Sequence, residues 1–124
     1  MELLYKDETE IIINVLFTVY NEMGWGMREK QYENAIVQES RSKKLKVSNQ
    51  KYVPVNYKKV KIGYNRIDLL FNDKILVELK VGEKLFKKDF DQINDYLRTM
   101  NLKLGLLVLY SPKGVSFRRI VNLK

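Results

Sequence analysis

The 124-residue sequence contains no cysteine and no histidine. Without cysteine there is no disulfide, no thiol nucleophile and no cysteine-based zinc site. Without histidine, Ser-His hydrolysis, histidine general-base chemistry and histidine-ligated zinc are excluded too. Chemistry is left to carboxylates, lysine, tyrosine, or a hard cation such as Mg²⁺ held by oxygen ligands. No apolar run approaches the roughly 18 residues a membrane-spanning helix needs. The opening MELLYKDETE is too acidic for a signal or transit peptide. A cytoplasmic protein without membrane association is expected.

Acidic residues are also missing from one long stretch. Between Ser40 and Ile67 there is none, while Arg41, Lys43, Lys44, Lys46, Lys51, Lys58, Lys59, Lys61 and Arg66 all lie there. The formal net charge is +8, so this segment accounts for the basic character of the chain. Tyr52, Tyr57 and Tyr64 are interleaved with the cations. Such a segment suits a polyanion, most commonly nucleic acid. The same composition also describes a solvated, solubilising face.

The length and the 45% hydrophobic content indicate one domain with an ordinary core. KDETEIIINVLFTVYNEMG reads as a helix, with Asp7 and Glu10 as a capping-box start. Gly24 and Gly26 break it before a second helix, roughly 27–41. Strands are expected over Leu45–Tyr57, with Pro54 marking an edge or irregular strand, and over KVKIGYNRIDLLF and KILVELKV. A third helix is expected over Lys84–Met100, from the stripe Phe86, Phe90, Ile93, Leu97 and Met100. KLGLLVLYS is a strand apolar enough to be buried on both faces, and SPKG turns into a last strand, about 115–123. The order ααββββαββ implies an α/β fold, a mixed sheet flanked by helices.

Within DLLFNDKILVELK, a three-residue loop of Asn72, Asp73 and Lys74 pairs Phe71 with Ile75, Leu69 with Val77 and Ile67 with Leu79. The other face then pairs Leu70 with Leu76, Asp68 with Glu78 and Arg66 with Lys80. Two acids facing each other at about 4.5–5.5 Å between Cβ atoms repel unless something positive lies between them. A divalent cation meets that need, and Lys80 on the same side can stabilise charge on a phosphate. An acid-x-Lys pair on a solvated sheet face would look the same in sequence.

These residues resemble the PD-(D/E)xK nuclease superfamily, in particular its small GxxExxR-type members. GWGMREKQYENAI is similar to that family's Gly-x-Gly-x-x-Glu-x-x-Tyr-x-x-Ala segment through Gly24, Gly26, Glu29, Tyr32 and Ala35. NRIDLLFNDKILVELK resembles its Arg-x-Asp and Val-Glu-Leu-Lys strands through Arg66, Asp68, Glu78 and Lys80. Gln92 and Tyr96 match the Gln-x-x-x-Tyr pattern of RecB-like members, whereas Trp25 stands where these relatives usually have proline. The resemblance implies a restriction-endonuclease-like αβββαβ core and a Mg²⁺-dependent nuclease in which Mn²⁺ can substitute. Asp68, Glu78 and the Leu79 carbonyl would hold the metal, Lys80 would assist the attacking water, and Glu29 would be an additional acid. Gln92 and Tyr96 would line the site or touch the substrate.

DNA is then the expected partner, held by Arg66, Lys43, Lys44, Lys58, Lys59 and Lys61. The small size leaves room for a homodimer. Two other readings stand beside this one: a non-catalytic nucleic-acid-binding module, and a protein-interaction subunit whose basic patch meets an acidic partner. Glu29 has a local alternative as well, because at N3 of a helix capped by Gly26 it would serve as a capping carboxylate.

Overall fold

Helix α1 (Lys6–Met23) forms because Ile12, Val15, Leu16 and Val19 recur at helical spacing, and all four are buried. It starts one residue before the expected Asp7 cap. Tyr5 is the N-cap, in a left-handed conformation, and its carbonyl accepts the Thr9 N–H at 2.9 Å. Gly24 ends the helix at φ 72°, donating its N–H to the Tyr20 carbonyl. Helix α2 (Glu29–Ser42) follows, then β1 (Val47–Tyr57), β2 (Val60–Phe71), β3 (Ile75–Val81), α3 (Lys87–Met100), β4 (Leu104–Ser111) and β5 (Gly114–Val121). These elements come from a computed structural model, which describes residues 3–123.

The observed order is ααβββαββ, with three strands before α3 rather than four. The stretch around Pro54 is one edge strand, as expected, and the missing N–H of Pro54 is tolerated on β1 at the sheet edge. Helix α3 begins three residues later than its apolar stripe suggests. Phe86 is the N-cap and half-exposed, and its N–H donates to Asp89 Oδ2 at 2.9 Å.

The sheet runs in the order β1-β2-β3-β4-β5, parallel between β3 and β4 and antiparallel elsewhere. Helices α1 and α2 cover one face over Leu69, Phe71, Ile75, Val77, Leu79, Leu106 and Val108. Helix α3 covers the other over Ile67, Leu70, Leu76 and Leu107. Every residue of β4 is buried, as its unbroken apolar run requires of a strand sandwiched between helices. On the α3 side, β4 carries Gly105, where a Cβ would stand 2.8 Å from Ile93 Cδ1. Gly105→Ala should therefore push α3 outward and destabilise the fold by about 1–3 kcal/mol in urea denaturation.

The β2–β3 register has the expected pairs Leu69↔Val77, Leu70↔Leu76 and Phe71↔Ile75 around the Asn72–Asp73–Lys74 loop. Asn72 and Asp73 adopt φ 53° and 59°, conformations that short polar side chains tolerate well. The ladder stops there, before Asp68 and Glu78. Ile67 does not face Leu79 as the alternation suggests, but joins the cluster beneath α3. The β1–β2 ladder also omits Gln50 and Asp68, with Gln50 at φ 50°. Both neighbours of β2 thus break pairing at the level of Asp68, and the alternation of faces breaks there too, Ile67 and Leu69 joining different clusters.

Candidate active site

Where the ladder stops, side chains take over its hydrogen bonds. The Asp68 N–H donates to Glu78 Oε2 at 2.9 Å, and the Leu79 N–H donates to Asp68 Oδ2 at 2.9 Å. Each acid therefore braces the opposite strand while remaining beside the other. Both are buried in a region that also holds Leu69 and Leu79. Burial, and then the Asp68 charge, push the Glu78 carboxyl up to about 9.

Helix α2 adds two more carboxylates. Its N-cap is Arg28, not Gly26, and the Arg28 N–H donates to Gln31 Oε1 at 3.0 Å. Glu29 is then the first helical residue and is released from the capping role, which Gln31 fills. Glu33, one turn on, is buried beside Tyr32 and Ile36. Carboxylate oxygens of Glu29, Glu33 and Asp68 all lie within 4.8 Å of one another. Burial raises the Glu33 pKa to about 7, with Asp68 and Glu29 adding to it. Burial and then Asp68 also raise that of Glu29.

The loop that aims α2 is pinned by Tyr32. Its hydroxyl donates to the Gly24 carbonyl at 2.6 Å and accepts the Met27 N–H at 3.2 Å. The Tyr32 ring packs edge-on against Tyr110, whose hydroxyl donates to the Leu16 carbonyl at 2.6 Å. Gly24 and Gly26 supply the positive φ values of the link, and Trp25 between them is exposed.

Helix α3 approaches from the other side. Lys80 Nζ donates to Gln92 Oε1 at 2.9 Å and lies 3.8 Å from Asp89 Oδ1. Tyr96, one turn beyond Gln92, is half-buried; burial and then the charges of Glu78 and Asp68 raise its pKa. A cleft of about 420 Å³ opens over this arrangement, lined by Glu29, Lys80, Gly82, Lys84, Asp89 and Gln92 among others. Arg66 Nη1 closes the remaining side, 3.8 Å from Asp68 Oδ1.

This chain has a counterpart among protein families. Residues 6–120 match the PD-(D/E)XK nuclease superfamily. The chain belongs to that superfamily. Its mixed sheet and helices form an α/β, restriction-endonuclease-like fold. Among solved structures, one titled "Crystal structure of SSO0001" is similar at 14% identity and a TM-score of 0.49. That similarity covers 92% of this chain and 77% of the other. Curated proteins yield no match. Among the described residues, no helix is long and apolar enough to cross a membrane.

In this PD-(D/E)XK protein the positive charges beside the four carboxylates Glu29, Glu33, Asp68 and Glu78 are, among the described residues, those of Arg66 and Lys80. Glu33 Oε1 is buried and has no hydrogen-bond partner among the described residues. Unionised or not, that oxygen is desolvated without compensation. An oxygen-only donor set with excess negative charge and an orphaned buried oxygen fits a hard divalent cation.

The expected substrate-binding residues divide into three groups. Arg66, Gln92 and Tyr96 lie at the acids. Lys43 and Lys44 follow the far end of α2, about 21 Å from Glu29 at 1.5 Å per residue. Lys58, Lys59 and Lys61 lie at and near the β1–β2 turn, and Val60 is about 26 Å along β2 from Asp68.

Two residues were not anticipated from sequence. Glu33 was legible in principle, since it lies four residues after Glu29 on the stripe of Ile36, Val37 and Ser40, all buried. Asp89 gave no signal, because an acid at N3 of a helix needs no further explanation. Asp89→Asn keeps an acceptor for the Phe86 N–H but removes the charge beside Lys80. It should leave the urea midpoint nearly unchanged while loosening the Lys80 ammonium, measurable as greater side-chain mobility in NMR relaxation of the lysine.

Proposed function

We propose that the protein is a Mg²⁺-dependent nuclease that hydrolyses phosphodiester bonds of DNA, with Mn²⁺ able to substitute. The observation that carries this reading is the meeting of Asp68, Glu78, Glu29 and Glu33 with Lys80 at the break in the β2–β3 ladder. Membership of a nuclease superfamily supports it. Asp68, Glu78 and the Leu79 carbonyl would hold the cation, with Glu29 and Glu33 completing the acidic shell. Bound there, Mg²⁺ would neutralise phosphate charge and make water a stronger nucleophile.

The chain's own groups do the rest. Asp68 and Glu78 stay rigid because each accepts a backbone N–H from the neighbouring strand. Lys80 carries a positive charge to the phosphate and orients the water that attacks phosphorus. The attacking water gives up one proton to solvent as its P–O bond forms, the opposite P–O bond breaks, and the departing oxygen takes up a proton from solvent. Gln92 holds Lys80, and Tyr96 lies beside Glu78 and Asp68 at the wall of the site. Arg66 contacts the DNA backbone next to the bond being cut.

The test is cleavage of end-labelled single-stranded and duplex DNA with Mg²⁺ or Mn²⁺, by wild type and Glu78→Ala. Cleavage by wild type alone is expected. Equal cleavage by both proteins, or none with either metal, contradicts the proposal. Mg²⁺ binding lost in Asp68→Ala without any turnover in wild type would instead identify a non-catalytic binding module.

A further inference from the structure

Beyond the break in pairing at Asp68, β1 and β2 continue as a two-stranded ribbon from Lys51↔Ile67 out to Tyr57↔Val60. Cross-strand partners and alternate residues share a face. One face carries Tyr52 opposite Arg66 and Pro54 opposite Tyr64, and all four are exposed. The opposite face carries Val53, Val55, Gly63 and Asn65, all half-buried, and Val53 packs against the cluster beneath α3. The ribbon is thus anchored by one side and presents the other to solvent.

That presented face combines aromatic surface with positive charge. Tyr52 and Tyr64 keep 62% and 56% of their surface exposed, and their rings meet edge-on with centroids 6.3 Å apart. Lys61 Nζ lies 4.6 Å from the Tyr64 ring centroid and donates to the Tyr64 hydroxyl. The two residues of the turn are Lys58 and Lys59, at φ 48° and 66°. Such a turn favours Asn-Gly, so two lysines there sacrifice local stability for charge at the tip. No acid occurs anywhere from residue 41 to residue 66. At its base the same face ends on Arg66, 3.8 Å from Asp68.

We infer that this ribbon is a guide for single-stranded DNA, leading the strand along Tyr64 and Tyr52 to the acidic site. This rests on the nuclease reading and names its substrate class. Exposed tyrosine rings need base faces to stack on, and a duplex hides its base faces inside its own stack, whereas an unpaired strand offers them. The lysines meet the phosphates between stacked bases. A span of about 26 Å accommodates about eight nucleotides at the stacked rise of about 3.4 Å.

The experiment measures fluorescence anisotropy of labelled dT20 and of a 20-base-pair duplex in EDTA, where no turnover occurs. Wild type should bind dT20 at least tenfold more tightly than the duplex. Tyr52→Ala and Tyr64→Ala should each weaken dT20 binding about tenfold, and Tyr52→Phe and Tyr64→Phe should retain it. The double variant Lys58→Asn, Lys59→Gly should raise the thermal midpoint while weakening binding and flattening its salt dependence. Equal or tighter duplex binding, or alanine variants that bind dT20 like wild type, would overturn the inference. Tyrosine-sensitive dT20 binding without cleavage under any metal leaves the ribbon standing and removes the nuclease. Cleavage indifferent to both tyrosines does the reverse.

Discussion

Lys80→Met is expected to lower DNA cleavage by two to three orders of magnitude while leaving Mg²⁺ affinity within a few-fold of wild type. The size follows from removing one preorganised positive charge aimed at a developing negative one, which is worth about 10²–10³ in rate. Methionine keeps the length and apolar stem, so packing against α3 changes little. Lys80 is placed for this because Gln92 accepts from its Nζ at 2.9 Å and Asp89 lies at 3.8 Å. Those partners hold the ammonium in the cleft rather than letting it pair directly with Asp68 and Glu78. Glu78→Gln gives the contrasting pattern: turnover and Mg²⁺ affinity fall together. Single-turnover rates with calorimetric Mg²⁺ titration separate the two cases. Equal losses of metal binding in both variants would place Lys80 in a structural role.

The second large effect is a pH dependence that metal reverses. Glu33 and Glu78 have pKa values raised by burial to about 7 and about 9, against 4.5 for the ordinary group. Both therefore hold protons in the folded chain at pH values where the unfolded chain has released them. Their contribution to stability is fully present below about pH 4.5 and is lost progressively as pH rises through 7 and on to 9. Metal-free protein should unfold at lower urea at pH 9 than at pH 6. Glu78→Gln should remove much of this slope and stabilise the metal-free protein at pH 9 by on the order of 2 kcal/mol. Saturating Mg²⁺ should act oppositely, stabilising wild type more at pH 9 than at pH 6, because the ionised acids are its ligands. Urea midpoints at the two pH values, with EDTA or Mg²⁺, check all three statements.

What sequence reasoning reached depended on whether a local rule governed the feature. The β2–β3 register was legible because only one alignment puts Leu69, Phe71, Ile75 and Val77 together over α1 and α2. Full burial of β4 followed from its lack of any polar alternation. The break in pairing at Asp68 was not legible, since alternation simply continues through Ile67 in sequence. Its cause is nonlocal: Asp68 and Glu78 take over backbone N–H groups that a regular ladder would have used. The start of α2 was likewise hidden, because local preference favours Gly26 as the cap, whereas the observed cap is Arg28, whose N–H donates to Gln31. That two-residue difference is what takes Glu29 out of a capping role and sets it beside Glu33.

Of the residues expected at the site, Glu29, Asp68, Glu78, Lys80, Arg66, Gln92 and Tyr96 are brought together by the fold. Lys43 and Lys44 were grouped with them by sequence proximity within one basic block, which says nothing about distance along a helix. A 14-residue α2 carries them to its opposite end. The block is in fact split between that helix end and the β1–β2 ribbon.

The central claim is that the carboxylates at the β2–β3 break form a divalent-cation site. A crystal grown with Mn²⁺, with anomalous scattering recorded for the metal, tests it most directly. The account predicts a peak within coordination distance, about 2.1 Å, of carboxylate oxygens from both Asp68 and Glu78. A saturated crystal with no peak there, or with manganese bound only elsewhere, would contradict it.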